Sequence, residues 1–178
     1  MKRVMPDTNF YTQLLQKSKE AAEIVSLAGN LGFSFCGFDE IRYELKAAPR
    51  IATPFPNRNF RADLLRAYEL LTTKEYVFEQ RMMDMAVEYY ERYRSFGGTT
   101  SHKDIITDFL IVACASLKEV DVLVSDDVST MLHPYAVQSY HDVNSRHSLG
   151  LPKLWSYSGF VSELRRLNKI THEGGNNK

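Results

Sequence analysis

Acidic side chains stand beside apolar stretches at five positions where they are suited to binding a divalent cation. Asp7 directly follows a short apolar run, Asp127 closely follows another, and Glu40 and Glu44 lie on the helix predicted after a third. Asp108 begins a long uncharged run, which is an unusual setting for an acid unless it faces a positive charge. Oxygen ligands without Cys or His favour Mg²⁺ or Mn²⁺.

A cluster of these carboxylates would need a cation, because like charges at short distance repel and raise one another's pKa. A carboxylate-held Mg²⁺ ion most often acts on phosphate esters. It polarises a phosphoryl oxygen and helps to generate hydroxide, and a second ion can stabilise the leaving oxygen. The acids therefore favour metal-dependent hydrolysis of a phosphodiester, provided that the fold brings them together.

Several of these acids also have a purely structural interpretation. Asp7 and Asp127 are suited to capping the helices that follow them. Asp104 follows Ser101 by three residues, as in a capping box. Glu40 and Glu44 could equally be solvated charges on the helix surface. They are one helical turn apart, about 5.4 Å along the same face, so they cannot both reach one ion equivalently.

The apolar patterning predicts strands that alternate with helices. The segments "RVM", "FSFCGF", "DVLVS" and "KLWSY" read as strands, and one helix is predicted from Thr8 to the "GNLG" stop. A later helix over 128–143 is expected to be interrupted near Pro134. The alternation predicts an α/β fold with a central, mostly parallel sheet and helices on both faces. Sites in such sheets form at the carboxyl ends of the strands, where strand order reverses.

Composition limits the classes of protein to consider. The 178 residues predict one domain over residues 1–168 and a disordered tail over residues 169–178. The 22 basic and 22 acidic residues balance, so any contact with nucleic acid must come from a local patch. Cys36 and Cys114 lie in apolar stretches, which favours buried thiols in a reducing compartment. The absence of a membrane-spanning run or signal peptide pattern predicts a cytoplasmic protein.

Four segments in order resemble the acidic motifs of PIN-domain ribonucleases, the family that includes VapC-type toxins. They are "MPDTNFY", "DEIRYEL", "DFLIVACA" and "LVSDD", and together they cover about residues 3–160. The resemblance implies a PIN-like three-layer fold and Mg²⁺- or Mn²⁺-dependent endonucleolytic cleavage of RNA. It also implies that Asp7, Glu44, Asp108 and Asp127 are the catalytic residues and metal ligands.

Neighbouring polar residues would support these four acids. We expect Thr8, Asn9 and Ser125 to orient carboxylates or water, and Asp104, Asp126 and Glu40 to be auxiliary ligands. The last motif of the family usually reads Thr-x-Asp, and here it is Ser-Asp-Asp, in which a serine hydroxyl can make the same hydrogen bond. Glu40 competes with Glu44 for the second position of the family.

RNA is the expected substrate, and an arginine-rich loop is the expected surface for it. Arg50, Arg58 and Arg61 lie in this loop with Phe55 and Phe60 among them, and Arg42 lies on the helix that carries Glu40 and Glu44. Basic and aromatic side chains together suit single strands, although these arginines could also be ordinary solvated charges. The resemblance further implies an antitoxin partner if the chain is a toxin, and homodimerisation through helical faces. The alternative is a non-catalytic PIN-like module that binds RNA or protein.

Overall fold

The computed structural model describes residues 1–53, 55 and 57–174, which form alternating strands and helices. The strands are β1 (Lys2–Pro6), β2 (Phe33–Phe38), β3 (Lys74–Tyr76), β4 (Val122–Val124) and β5 (Lys153–Trp155). The helices are α1 (Thr8–Gln16), α2 (Ser18–Asn30), α3 (Asp39–Ala47), α4 (Phe60–Leu71), α5 (Gln80–Ser95), α6 (His102–Leu117), α7 (Pro134–Arg146) and α8 (Tyr157–Gly174).

The five strands form one sheet in the order β3-β2-β1-β4-β5, and each described pairing is parallel. Val4 pairs with Phe35 of β2 on one side and with Val122 of β4 on the other. The chain moves outward from β1 through β2 to β3, and then returns across β1 to add β4 and β5. Strand order therefore reverses between β1 and β4, which is where a parallel α/β sheet forms its crevice.

Helices cover both faces of this sheet. One layer contains α1, α2, α4 and α8, and the other contains α5, α6 and α7. Helix α6 is the most buried of the described helices, because Phe109 to Ser116 are all buried and the helix packs against α5. The predicted α/β architecture is confirmed, with a sheet that is parallel throughout its described pairings.

The structure corrects four sequence predictions. The single helix predicted from Thr8 is two helices, because the backbone of Lys17 (φ −108°, ψ 45°) leaves the helical region. Strand β3 was not predicted, since it is three residues long with two of them exposed.

Helix α7 begins at Pro134, where the His133 ring accepts a hydrogen bond from the Tyr135 amide, and the segment before it forms turns. Helix α8 continues to Gly174, so a disordered tail does not begin at residue 169; residues 175–178 lie outside the described part.

None of the helices in the described ranges is both long enough and apolar enough to cross a membrane.

Gly37 provides a test of the packing between β2 and α4. A side chain at Gly37 would overlap the hydroxyl of Tyr68, which is buried and donates hydrogen bonds to the Phe38 carbonyl (3.2 Å) and Glu75 Oε1 (2.7 Å). We expect Gly37→Ala to lower the free energy of unfolding by about 1–3 kcal/mol, as overpacking does.

Gly29→Ala is the matched control for this substitution. Gly29 lies in α2, with nothing within 4 Å of an added Cβ, so the change should raise the free energy of unfolding by about 0.5 kcal/mol. Urea denaturation of both variants measures the difference. Equal stabilities would show that the β2 to α4 contact is not as tight as described.

Candidate active site

Asp7 lies at the carboxyl end of β1, directly beside the point where strand order reverses. Its side chain is 3% exposed and accepts four hydrogen bonds. Oδ1 accepts from the Thr8 amide (2.6 Å) and hydroxyl (3.3 Å), and Oδ2 accepts from the Ser125 hydroxyl (2.8 Å) and the Asn9 amide group (3.2 Å). Asp7 thus caps α1 while it remains part of the acidic cluster. Burial raises its pKa despite these donors.

Ser125 connects Asp7 to the neighbouring strand. Its backbone amide donates to the Trp155 carbonyl (2.9 Å), which fixes it at the carboxyl end of β4. Its hydroxyl donates to Asp7 Oδ2 and accepts a hydrogen bond from the Asp127 amide (3.1 Å). Because Ser125 is 1% exposed, this link is protected from water and holds the ends of β1 and β4 together.

Asp127 follows β4 and is held by the turn that it begins. Its carboxylate accepts hydrogen bonds from the amides and hydroxyls of Ser129 and Thr130, at 2.6–3.0 Å. Partial burial by itself would raise the pKa of Asp127, but these four donors outweigh it and lower the pKa. Asp127 is therefore the member of the cluster best suited to remain ionised.

Asp108 lies half-buried in the first half of α6 and faces the strand ends. Burial raises its pKa to about 7, the Thr130 hydroxyl lowers it, and the negative charges of Asp7 and Asp127 raise it. These mutual effects show that α6 brings Asp108 close to the acids at the ends of β1 and β4.

Glu44 approaches the same cluster from α3. Burial raises its pKa to about 7, the charges of Asp7 and Asp108 add to this, and the Thr8 hydroxyl opposes it. For Glu40, burial and the neighbouring Asp39 raise the pKa. Glu44 thus faces the strand ends, whereas Glu40 lies near the start of α3, beside Asp39.

Three hydroxyl groups lie between the four carboxylates. Ser125 lies between Asp7 and Asp127, the Thr8 hydroxyl is within reach of both Asp7 and Glu44, and Thr130 donates to Asp127 while it lowers the pKa of Asp108. Thr130 was not predicted as a site residue. The hydroxyl residues that follow Asp127 in "DDVST" were the available signal, since such residues commonly donate to a preceding aspartate in a turn.

The two remaining aspartates of the prediction have other positions. The carboxylate of Asp126 accepts a hydrogen bond from the Tyr157 amide (2.9 Å) and so caps the start of α8. Asp104 is exposed in the first turn of α6, where it accepts a hydrogen bond from the Ser101 hydroxyl. The structure thus gives Asp126 a capping role at the start of α8, whereas Asp104 binds a neighbouring side chain and the predicted capping box at the start of α6 does not form.

Two of the predicted RNA-binding arginines are engaged within the protein. Arg42 pairs with Glu69 (2.9 Å) and Glu75 (3.3 Å), which reduces its capacity to bind phosphate. Arg61 donates from Nε to the Ala48 carbonyl (2.5 Å). These contacts give both side chains a structural role on the α3 and α4 surface.

The other two arginines lie on the exposed loop before α4. Arg58 pairs with Asp63 (2.8 Å) but is half-exposed, and Arg50 is exposed. Phe55 and Phe60 stack on each other with ring centroids 5.4 Å apart, so that each already has an aromatic partner. Arg50 and Arg58 are thus the members of the predicted basic loop that best suit contact with a ligand.

The four carboxylates have the chemistry of a site for a hard divalent cation. Within residues 1–53, 55 and 57–174, no three acidic, His or Cys side chains are grouped closely enough, as oriented, to hold an ion. The donors nevertheless fit such a cation, since Asp7 is buried and the pKa values of Asp7, Glu44 and Asp108 are raised by burial and by neighbouring acids. A positive charge among these oxygens would relieve that repulsion.

Comparison with known proteins supports the fold. No protein-family model and no curated protein sequence matches the chain. The chain is similar in structure to a chain of VapBC2 from Rickettsia felis, in the crystal structure of that complex bound to a DNA fragment from its promoter. The TM-score is 0.57, at 12% sequence identity, over 86% of this chain and 98% of the other. The likeness is one of fold, and it agrees with the PIN-like architecture implied by the motifs.

The raised pKa values predict how stability depends on pH. Glu44 and Asp108 titrate at about 7 in the folded protein, above their ordinary values of 4.5 and 3.8. The folded state therefore binds more protons than the unfolded state between these limits, and its free energy of unfolding falls as pH rises. We expect a loss on the order of 1–3 kcal/mol between pH 5 and pH 7.5 without divalent cations.

Asp108→Asn should reduce this loss of stability, because it removes one of the two groups. Asp104→Asn, an exposed position on the same helix, is the control and should keep the wild-type pH dependence. Chemical denaturation at the two pH values measures both variants. A wild-type protein whose stability rises over this interval would contradict the described cluster.

Proposed function

We propose that this protein is a metal-dependent endoribonuclease that hydrolyses RNA phosphodiester bonds with Mg²⁺ or Mn²⁺. The observation that supports the proposal is the position of Asp7 and Asp127 after the neighbouring strands β1 and β4, at the reversal of strand order, with the negative charge of Asp7 raising the pKa values of Glu44 and Asp108. Acidic side chains placed together without a positive partner lower stability, and a bound cation would offset that cost. The resemblance of the four motifs to PIN-domain ribonucleases supplies the reaction.

The protein contributes ligands and their orientation to this reaction. Asp7, Asp108 and Asp127 would hold the cation through their carboxylates, with Glu44 assisting. A bound divalent cation supplies positive charge that polarises a phosphoryl oxygen and lowers the pKa of water. Thr8, Asn9 and Ser125 fix the orientation of Asp7, since they donate to both of its oxygens.

Glu44 is the residue best placed to move a proton. Its carboxylate lies beside Asp7 and Asp108 and within reach of the Thr8 hydroxyl, and a carboxylate in such a position can act as a general base. Glu44 also borders an open pocket beside the cluster, so that it is accessible to solvent and substrate. Its carboxylate accepts the proton that the attacking water loses, while Asp127 stays ionised in its turn.

The same proposal extends to a toxin of a toxin–antitoxin pair in the cytoplasm. It is supported by the motifs and by the structural likeness to a chain of a VapBC complex. An antitoxin would act by covering the carboxyl edge of the sheet. The alternative, a non-catalytic PIN-like module, predicts RNA or protein binding that does not depend on a metal. Co-purification with a small partner that blocks cleavage would favour the toxin, and metal-independent RNA binding without cleavage would favour the module.

Neutralisation of Asp7 tests the reaction. We expect wild-type protein to cleave RNA with Mn²⁺ and to lose this activity with EDTA. Asp7→Asn should lower the cleavage rate by about 100-fold or more, on the order of 2.7 kcal/mol of transition-state stabilisation. Asp121→Asn is the control, because Asp121 precedes β4 at the opposite edge of the sheet and binds the Arg3 amide. Cleavage that resists EDTA, or equal rates for Asp7→Asn and wild type, would overturn the mechanism.

A second comparison separates the two glutamates of α3. Glu44→Gln should reduce Mn²⁺-dependent cleavage by about tenfold or more, on the order of 1.4 kcal/mol, because Glu44 lies beside Asp7 and Asp108. Glu40→Gln makes the same chemical change one turn away and should have a smaller effect. Both rates are measured at saturating Mn²⁺. A larger loss from Glu40→Gln would show that the second acid of the site is Glu40.

A further inference from the structure

A pocket of about 380 Å³ opens directly beside the carboxylate cluster, between α1, α3 and α4. We call it the α1–α3–α4 pocket. Its walls include Thr8, Asn9 and Thr12 of α1, Glu44 and Ala47 of α3, and Phe60 of α4. Thr8, Asn9 and Glu44 also belong to the candidate active site, so a group that enters this pocket lies next to the reacting phosphate.

The charge of the pocket argues against a phosphate as its occupant. Glu44 contributes a carboxyl group to the pocket wall, while at the end of α3 the Arg61 Nε already donates to the Ala48 carbonyl. Among the described residues, no Lys or Arg lines the pocket. A phosphate would be repelled there, whereas a neutral group would not.

The lining suits a flat, neutral group that carries polar edges. Leu45, Leu64 and Phe60 are buried and form an apolar floor. Thr12 presents a hydroxyl from α1, and Asn9 presents a side-chain amide that also donates to Asp7. Proteins that read unpaired bases combine an apolar surface for the base with a few polar groups for its edge.

A second cleft, which contains two arginines, lies in the loop before α4. The Phe60 amide donates to the Arg50 carbonyl (2.8 Å), which joins the pocket to the loop before α4. Arg50 and Arg58 line a separate cleft of about 420 Å³ there. The Phe60 to Arg50 hydrogen bond thus connects the wall of the α1–α3–α4 pocket to a cleft whose two arginines suit a phosphate, although Arg58 also pairs with Asp63.

We infer that the α1–α3–α4 pocket binds one unstacked nucleobase of a single-stranded RNA, next to the phosphate that is cleaved, and that Arg50 and Arg58 hold the following phosphate. This inference rests on the proposed ribonuclease function and adds a base-binding subsite to it. A base inside a duplex cannot enter the pocket, because its edge and faces are already paired and stacked. The substrate is therefore single-stranded at the cleaved bond.

The test compares RNA with a chain of the same charge that lacks bases. We would measure binding of a fluorescent single-stranded RNA 12-mer, and of an abasic ribose-phosphate 12-mer, by anisotropy with Ca²⁺ in place of Mg²⁺ or Mn²⁺. Electrostatic attraction is equal for the two probes and cancels in their ratio. We expect wild-type protein to bind the base-bearing probe about tenfold more tightly, within the range of single-base contacts.

Two variants fill the pocket from opposite walls. Ala47→Leu, at an exposed position near the end of α3, and Thr12→Leu, from α1, should each reduce the tenfold preference to about twofold or less. Ala22→Leu is the matched control, because Ala22 is exposed on α2 and does not line this pocket. This control should keep the wild-type preference.

The outcomes of this experiment are distinct from those of the cleavage assays. A preference that persists in both filled variants overturns the inference, even if the protein is shown to be a metal-dependent ribonuclease. Equal binding of the two probes by wild-type protein, or no RNA binding at all, overturns it as well. Loss of the preference in Ala47→Leu and Thr12→Leu, but not in Ala22→Leu, supports the subsite even if cleavage is not detected.

Discussion

The burial of a carboxylate at the end of β1 is the constraint on which the rest of the site depends. Asp7 is almost fully buried, so its charge must be satisfied by the protein or by a bound cation. Donors from α1 and β4 satisfy part of this requirement, since Thr8, Asn9 and Ser125 reach both oxygens. Glu44 and Asp108 then add negative charge instead of cancelling it. A fold selected only for stability would place a cation or an apolar group there.

The scaffold explains how this unfavourable arrangement is kept. The reversal of strand order sets the ends of β1 and β4 side by side, and the Ser125 hydroxyl bridges them. Helix α6 is held in position because residues 109–116 are buried and it packs against α5 and α3. Hydroxyl groups between neighbouring acids, instead of basic side chains, hold the carboxylates in place and leave their charge available to a cation. The cost in stability is consistent with a site that is preorganised for a ligand.

Local patterns predicted much of the fold and of the candidate site, but not the features that depend on distant partners. The bounds of β2 match the predicted segment "FSFCGF", because this apolar run lies between the turn at Gly32 and the acidic start of α3. The placement of Asp7 and Ser125 at adjacent strand ends followed from the α/β pattern. In contrast, the pairing of Arg42 with Glu69 and Glu75 joins residues about 30 positions apart, which single-sequence patterns do not record. The role of Thr130 likewise depends on how α6 packs against the turn after β4.

The central claim is that the four carboxylates form one binding site for a divalent cation. The most direct measurement is a crystal structure of the protein soaked in Mn²⁺, with data collected for the anomalous signal of manganese. The account predicts an anomalous peak coordinated by Asp7 and Asp108, with Asp127 or Glu44 in direct or water-mediated contact. Manganese bound only at exposed acids such as Asp104, with no peak beside Asp7, would contradict it.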